Sequence, residues 1–368
     1  MKPKIIAFYL PQYHPTPEND EWWGKGFTEW TNVGRAKSLF KGHDQPRVPT
    51  ELGYYDLRLP VVREQQAELA RKAGVTAFCY WHYWFGNGKR LMERVFHEVL
   101  ETGKPDLPFA LAWANHSWDK KDWEGGRLHD IMLMEQTYPG EEDARQHFEF
   151  LLKAFKDERY IKVDGCPFLY IFKPDEVPST YLRWFRQWAQ EAGFKDLYLV
   201  ANVWGKNTLE HYQAMGYQAV VENNMLDLLQ TKYSQMPKYK EFLYRAYRRC
   251  SQALSGKSRG AMNYREFASK VITDECKNRY VIPEIFPNWD HSPRSGRAAT
   301  AIFYNEDPDS FYEMSCDALK AIKDKPSEEQ IIILKSWNEW GEGNYMEPDM
   351  RYGHGYIEAL RKAVDKFK

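Results

Sequence analysis

The stretch IIILKSWNEW, residues 331–340, begins with four aliphatic residues and ends in a cluster of polar and aromatic side chains. A short continuous apolar run is typical of a strand buried on both faces, as in a parallel sheet. The loop after such a strand is a place where functional side chains are commonly held. Residues 331–340 therefore predict a buried strand with functional groups at its carboxyl end.

Seven similar runs precede this one and also end in polar or aromatic residues. They cover residues 4–11, 75–84, 108–115, 167–174, 197–204, 218–224 and 281–289. Helical patterns lie between most of these runs or after the last one, at residues 60–73, 89–102, 141–156, 180–193, 207–215, 308–324 and 354–367. Eight strands with helical crossovers predict an α/β protein, a single (β/α)8 TIM barrel over residues 1–368. The alternative is a doubly wound open sheet, but no GxGxxG or GxxxxGK[ST] motif follows a strand.

Two segments are longer than a minimal barrel requires. Residues 15–59 form a first loop rich in aromatic residues, which we expect to fold over the barrel mouth and form a wall of a cleft. Residues 232–279 carry twelve Lys or Arg against four acidic residues. This basic insertion is expected to be the least rigid part of the chain. It is either a solvated insertion or a docking surface for an anionic or lipid-linked glycan.

The composition favours carbohydrate as the partner. Charge is nearly balanced, with 51 Lys and Arg against 52 Asp and Glu. The net charge of the chain therefore does not indicate binding to nucleic acid or to an anionic membrane. Aromatic residues make up 16% of the chain, with 14 Trp and 24 Tyr, often beside polar groups. Flat apolar faces with polar rims suit sugar rings, whereas the alternative is that these aromatics fill the core.

Cysteine usage and the start of the chain indicate a reduced, cytoplasmic protein without a membrane span. The five cysteines are scattered and form no CxxC pair, so neither a disulfide framework nor a zinc site is predicted. The apolar run before Pro11 is too short for a signal peptide or a membrane helix. We expect no cofactor and no metal.

The carboxyl ends of the strands in a barrel meet at one face, where active sites lie. Strand-end residues are therefore candidate substrate contacts. The alternative is that strand ends are polar only because the loops that follow them are exposed to solvent. The candidates are Tyr9, Gln12, Tyr13, His82, Tyr83, Trp84, Asn115, His116, Trp118, Glu222, Asn223, Trp289, Asp290, Trp337 and Asn338.

Glu339 and Glu342 are the candidate catalytic pair. They lie three residues apart beside Gly341, a spacing that would suit a helix were the segment not rich in glycine. Glycoside hydrolysis needs one carboxylic acid to protonate the leaving oxygen and one carboxylate on the other side of the sugar. Neighbouring tryptophans exclude water, which helps to raise the pKa of the acid. No GxSxG or HExxH motif supports serine or metal hydrolysis.

Several long motifs resemble those of the WbsX family. They are IAFYLPQYHP, WWGKGFTEWTNV, YDLRLP, CYWHYWF, LAWANHSW, FPNWDHSPR and SWNEWGEGNYMEPD, in this order along nearly the whole chain. Members of that family occur among polysaccharide and O-antigen functions and are labelled glycosyltransferases. The family is in turn similar to the endo-α-mannosidases of glycoside hydrolase family 99, through the barrel, the opening strand and the WNEWGEG block.

The resemblance to the mannosidases implies roles for both glutamates. In those enzymes the NEWxEG block carries both catalytic glutamates. The enzymes retain the anomeric configuration, and the sugar's own 2-hydroxyl acts as the nucleophile. The resemblance implies that Glu339 is the base for that hydroxyl and that Glu342 is the general acid. It also implies substrate contacts from Glu29 and Trp30, and Arg294, in the motif FPNWDHSPR, is a further candidate substrate contact. One departure is His116, in NHSW, where relatives commonly carry an acid in NENW.

Three functions remain open at this stage. The leading hypothesis is a retaining glycoside hydrolase acting on an α-linked, mannose-like or deoxysugar polysaccharide or oligosaccharide. The second is a glycosyltransferase in surface-polysaccharide assembly, whose local support is the DPD triplet of residues 307–309, also a natural helix start. The third is a carbohydrate-binding protein without catalysis, which would not need both glutamates.

Overall fold

The structure, a computed structural model, describes residues 3–124, 127–203, 208–222, 260–299 and 301–367, together with residues 237, 239, 240 and 246. Half of the predicted basic insertion, 232–279, therefore lies outside the described residues, and its expected lack of rigidity stays a prediction. Its described part contains a short strand, a helix and a 3-10 turn, at Ala261–Asn263, Tyr264–Ala268 and Asp274–Lys277.

Parallel strands form a barrel in the order that the sequence predicts. Their bounds are Lys4–Tyr9, Ala77–Trp84, Phe109–Trp113, Cys166–Ile171, Tyr198–Asn202, Ala219–Val221, Val281–Ile282 with Glu284–Ile285, and Ile331–Leu334. The seventh strand is split by Pro283, which has no N–H to donate. Its first half pairs with the sixth strand and its second half with the eighth. This split strand closes the wall, and the predicted (β/α)8 barrel is confirmed.

Amphipathic helices cover the outside of the barrel. The main ones are Pro60–Ala73, Glu93–Thr102, Glu141–Phe155, Ser179–Glu191, Leu209–Ala214, Pro308–Ile322 and Gly355–Lys366. Pro60 and Pro308 occupy first-turn positions, where the missing N–H costs nothing. Within the described ranges, every helix is too short or too polar to span a bilayer.

The period-two alternation of each strand separates two packed layers. In the first strand, Ile6 and Phe8 face the barrel interior, in a cluster with Cys79 and Tyr170. Ile5, Ala7 and Tyr9 belong instead to the layer between barrel and helices. This alternation decides which strand residues can reach the barrel mouth.

Three elements surround the mouth of the barrel. The first loop contributes two short helices, Pro17–Trp23 and Glu29–Arg35, the second capped by the Thr28 side chain on the Trp30 N–H. An antiparallel hairpin, Trp118–Glu124 with Arg127–Met134, follows the third barrel strand. After the last barrel strand, the short strands Asn338–Glu339 and Asn344–Tyr345 pair antiparallel around a 3-10 turn.

Candidate active site

A cavity of about 680 Å³ opens where these elements meet the carboxyl ends of the barrel strands. We call it the mouth cavity. Its wall includes Glu29 from the first loop, Arg294 from the short helix Ser292–Ser295, and Glu339 and Glu342 from the segment after the last strand. Residues far apart in sequence are thus brought together at the predicted face of the barrel.

One guanidinium connects three carboxylates in this cavity. Arg294 Nη2 donates to Glu339 Oε1 at 2.6 Å, and Nη1 donates to Glu342 Oε1 at 2.5 Å. Arg294 Nε donates to Glu29 Oε2 at 3.1 Å. Each carboxylate therefore takes a charge-assisted hydrogen bond from a different nitrogen of the same side chain.

The two glutamates of the motif differ in their charged surroundings. Burial raises the pKa of Glu339; Arg294 lowers it, but the nearby carboxylates of Glu342 and Glu29 raise it further. Burial also acts on Glu342, yet Arg294, His291 and Lys335 more than offset it and bring its pKa below the ordinary value. The His291 Nε2 atom is 3.5 Å from Glu342 Oε1. These surroundings favour the proton on Glu339 and the negative charge on Glu342.

This proton placement is opposite to the one that the resemblance to the mannosidases implies. That resemblance makes Glu342 the general acid, which must carry a proton before the reaction. In the structure Arg294 binds both glutamates, whereas His291 and Lys335 act on Glu342, and Glu339 is near Glu29, Tyr13 and Tyr83. The surroundings of the pair thus favour the proton on Glu339.

Glu29 fits tightly against the backbone of the motif. A Cβ atom added at Gly341 would lie 2.0 Å from Glu29 Oε2 and 3.1 Å from Arg294 Nε. Only glycine at position 341 leaves room for the carboxylate to reach the guanidinium. The Asn32 side chain also donates to Glu29 Oε2 at 3.3 Å, and the Gly341 N–H donates to the Tyr13 hydroxyl at 3.3 Å.

Aromatic rings from several elements form the apolar part of the cavity wall. Trp118 and Trp289, both expected to line a cleft, do so together with Trp23, Trp81 and Phe172. Exposed faces of this kind can stack on the C–H faces of sugar rings. Lys335 Nζ lies 4.5 Å from the centre of the Trp289 ring and 3.8 Å from Glu284 Oε1.

His116, at the position where the resemblance to the family implies an acid, lines the cavity. Burial and the nearby Lys173 ammonium lower its pKa to about 4. A neutral imidazole offers one donor and one acceptor to a ligand, whereas a carboxylate offers only acceptors. His116 therefore gives this wall a hydrogen-bond donor that a carboxylate would not supply.

Nine of the predicted site residues lie in the wall of the mouth cavity: Gln12, Glu29, Tyr83, His116, Trp118, Trp289, Arg294, Glu339 and Glu342. The sequence prediction missed others that line it. These are Leu10, Trp23, Phe27, Asn32, Arg35, Trp81, Ala114, Ser117, Asp119, Leu133, Phe172, His291, Lys335, Ser336 and Asn344. Trp81 could have been found, because strand alternation places it on the same side as Tyr83.

Three predicted contacts point outward from the barrel, away from the cavity. The Tyr9 hydroxyl donates to Gln66 Oε1 at 2.7 Å, on the helix Pro60–Ala73. His82 Nε2 is 2.9 Å from His147 Nε2, and the Trp84 ring stacks on His147, on the helix Glu141–Phe155. These three predictions ignored the alternation of the strand, and we exclude the residues from the proposed substrate site.

Other predicted contacts hold the mouth together instead of lining the cavity. Asn338 exchanges two hydrogen bonds with the Leu10 backbone, at 2.8 and 3.0 Å. Asn115 donates to the Lys173 carbonyl and accepts from its N–H, both at 2.8 Å. Asp290 accepts from Gln45 at 2.6 Å and lies 2.7 Å from His43 Nε2. Buried amides and carboxylates here tie neighbouring segments to one another.

The remaining predicted residues lie behind the wall or outside the described ranges. Tyr13 and Trp30 pack on each other, with ring centres 4.6 Å apart, and Trp337 is fully buried. Glu222 ends the described part of the segment after the sixth strand and is absent from the cavity wall. Asn223 lies outside the described residues.

Solved structures share this fold and define its class. A chain described as a glycoside hydrolase-like protein superposes with a TM-score of 0.59 at 16% identity, covering 99% of this chain and 94% of the other. The GH99 endo-alpha-mannosidase from Bacteroides thetaiotaomicron superposes with TM-scores of 0.56 and 0.52 in two structures. Identity to it is 14%, with 99% of this chain and 97% of that chain covered. The class is an α/β barrel of the kind seen in these proteins.

The chain belongs to the WbsX family. The family model, described as glycosyltransferase WbsX, matches residues 5–360. Two curated relatives, each named uncharacterized protein WxcX and found in two strains of Xanthomonas campestris pv. campestris, are 34% identical over 367 residues. The match covers 98% of this chain but only 50% of each relative, so the chain spans about half their length.

Proposed function

We propose that the protein is a retaining glycoside hydrolase that cleaves an α-linked, mannose-like or deoxysugar glycan. The observation that carries the proposal is the pair Glu339 and Glu342, bound to one guanidinium and holding opposite protonation preferences at the mouth of the barrel. Glycoside hydrolysis needs one protonated and one ionised carboxyl group. The aromatic wall supplies stacking surfaces for the sugar.

The spacing of the pair supports retention of configuration. Both carboxylates reach the two terminal nitrogens of one guanidinium, so they are close together. Retaining enzymes have carboxyl groups about 5–5.5 Å apart, whereas inverting enzymes separate them by about 6.5–9.5 Å to admit a water molecule. A shared guanidinium favours the shorter spacing.

The reaction then divides between the two side chains. Glu339 gives its proton to the glycosidic oxygen as the bond to the anomeric carbon breaks and its electron pair moves to that oxygen. Ionised Glu342 assists at the anomeric carbon, either by attacking it or by taking the proton of the 2-hydroxyl that attacks. Water completes hydrolysis in the second step, during which Glu339 takes a proton back.

Parallel incubation with two substrate types tests the function. Purified protein is mixed with α-linked manno-oligosaccharides, and separately with GDP-mannose plus the same oligosaccharides as acceptors. We expect new reducing ends in the first mixture, no release of GDP in the second, and neither signal from a variant with both glutamates changed to Gln. Acceptor-dependent release of GDP would overturn the hydrolase and indicate a transferase; binding without turnover would indicate a carbohydrate-binding protein.

The activity is expected to have a bell-shaped dependence on pH that extends above the usual range of carboxyl groups. Catalysis is lost on the acid side as Glu342, with its lowered pKa, gains a proton. It is lost on the alkaline side as Glu339, with its raised pKa, loses one. The measurement is kcat/KM against pH on one oligosaccharide. An alkaline limb at the ordinary carboxyl pKa would contradict the assignment of the proton to Glu339.

The name of the family favours a second candidate, a glycosyltransferase. Its local sequence support, the DPD triplet, has a structural explanation in the fold. Asp307 caps the helix Pro308–Ile322, accepting from the Ser310 N–H at 2.8 Å, and pairs with Arg265 at 2.8 Å. The transferase candidate therefore rests on the family description, and the release of GDP is its test.

A further inference from the structure

Glu29 is the third carboxylate on Arg294, and neither proposed catalytic step uses it. Within the described ranges, its side chain accepts hydrogen bonds from Arg294 Nε at 3.1 Å and Asn32 Nδ2 at 3.3 Å, both on the same oxygen. The side chain is 5% exposed, so its charge acts in surroundings with little water to screen it. It comes from the first loop, whereas Arg294 and Glu339 come from segments after the seventh and eighth strands.

The position of Glu29 is fixed from two sides. A Cβ atom at Gly341 would lie 2.0 Å from Glu29 Oε2, so this oxygen is packed against the backbone between Glu339 and Glu342. The helix Glu29–Arg35, capped by Thr28, holds Glu29 in the first turn, where a negative charge is favoured. The carboxylate is thus held against both the guanidinium and the backbone of the motif.

We propose that Glu29 is a positioning residue that, through Arg294, decides which of the two glutamates keeps the proton. By binding Nε, it orients the guanidinium so that its two terminal nitrogens face Glu339 and Glu342. Its own negative charge offsets part of the positive charge that Arg294 presents to Glu339. The catalytic meaning of this inference rests on the proposed function, but the protonation of Glu339 can be measured without any substrate.

The charges around Glu339 determine the sign of the effect. It is faced by Arg294, by the carboxylates of Glu342 and Glu29, and by the hydroxyls of Tyr13 and Tyr83; His291 and Lys335 act on the Glu342 side. Removing the charge of Glu29 takes away a repulsion and strengthens the pull of Arg294 on Glu339. Both changes make Glu339 lose its proton at lower pH.

The test follows the proton of Glu339 directly, without a substrate. Infrared difference spectra across pH record the carbonyl stretch of protonated carboxyl groups, and subtracting the spectra of Glu339→Gln isolates the band of Glu339. In Glu29→Gln we expect that band to disappear roughly one pH unit or more earlier than in the wild type. Glu29→Asp, which keeps the charge on a shorter side chain, is expected to shift it less.

Glu21→Gln is the matched control, because it removes the same charge from an exposed position of the neighbouring helix Pro17–Trp23. It should leave the band unchanged. An unshifted band in folded Glu29→Gln, or an equal shift in Glu21→Gln, would overturn the proposal. In the activity assay, the alkaline limb of Glu29→Gln should move by the same amount. If the protein hydrolyses nothing, the infrared result still decides the role of Glu29, so the two failures are distinguishable.

Discussion

Glu339→Gln is expected to slow the hydrolysis of unactivated oligosaccharides by roughly 10² to 10⁴ in kcat, because it removes a positioned proton donor. Gln keeps the shape of the side chain and can still accept from Arg294 Nη2, which is 2.6 Å from Glu339 Oε1. A glycoside with a nitrophenolate leaving group needs little protonation, so its hydrolysis should be largely spared. The measurement is kcat for both substrates with wild type and variant.

Glu342→Gln is the matched comparison, since it makes the same substitution at the other glutamate, three residues further along the chain. We expect it to slow both substrates, because assistance at the anomeric carbon is needed whatever the leaving group. The reverse result, with nitrophenolate hydrolysis spared in Glu342→Gln, would contradict the proposed placement of the proton on Glu339. It would support the roles that the resemblance to the mannosidases implies. Near-wild-type activity of both variants would remove the hydrolase.

Gly341→Ala is expected to lower kcat/KM by about 10², although it adds one methyl group and changes no charge. The new Cβ would lie 2.0 Å from Glu29 Oε2, a distance that forces Glu29, or the backbone of the motif, to move. Arg294 then loses its alignment with Glu339 and Glu342. Misplacement of about 1 Å at a reacting centre can cost this factor. Steady-state kinetics on the oligosaccharide measures it.

Gly34→Ala is the control for the added methyl group. Gly34 lies in the helix Glu29–Arg35, and a Cβ there meets no atom within 4 Å. Alanine also favours a helix over glycine, so this variant should be at least as stable as the wild type and fully active. Unchanged kinetics in Gly341→Ala would mean that Glu29 and Arg294 tolerate displacement and do not align the pair.

The architecture was accessible from the sequence because apolar runs report burial directly. The strand predicted at residues 75–84 is observed at Ala77–Trp84, and the helix predicted at 60–73 is observed at Pro60–Ala73. Individual side chains at strand ends were harder to predict. Proximity to a strand end made His82, Tyr83 and Trp84 equal candidates, yet only Tyr83 faces the cavity, since neighbours in a strand point to opposite sides.

The charge arrangement of the site could not be read from local patterns. Arg294 lies 265 residues from Glu29 and 45 from Glu339, and its links to both depend on how three loops converge. The motif identified the two glutamates as a pair. Which of them keeps a proton depends on His291, Lys335 and Glu29, whose distances to the pair only the fold determines.

The pairing of the first barrel strand with the last has a consequence for synthesis of the chain. Lys4 to Ala7 align with Ile331 to Leu334, so one edge of the first strand stays without its partner until more than three hundred residues have been made. A free strand edge can pair with other chains and lead to aggregation. The segment that covers this edge leads directly into Glu339 and Glu342. Chains that stop short of this segment therefore leave the edge of the first strand uncovered, which exposes them to aggregation, and they also lack both glutamates.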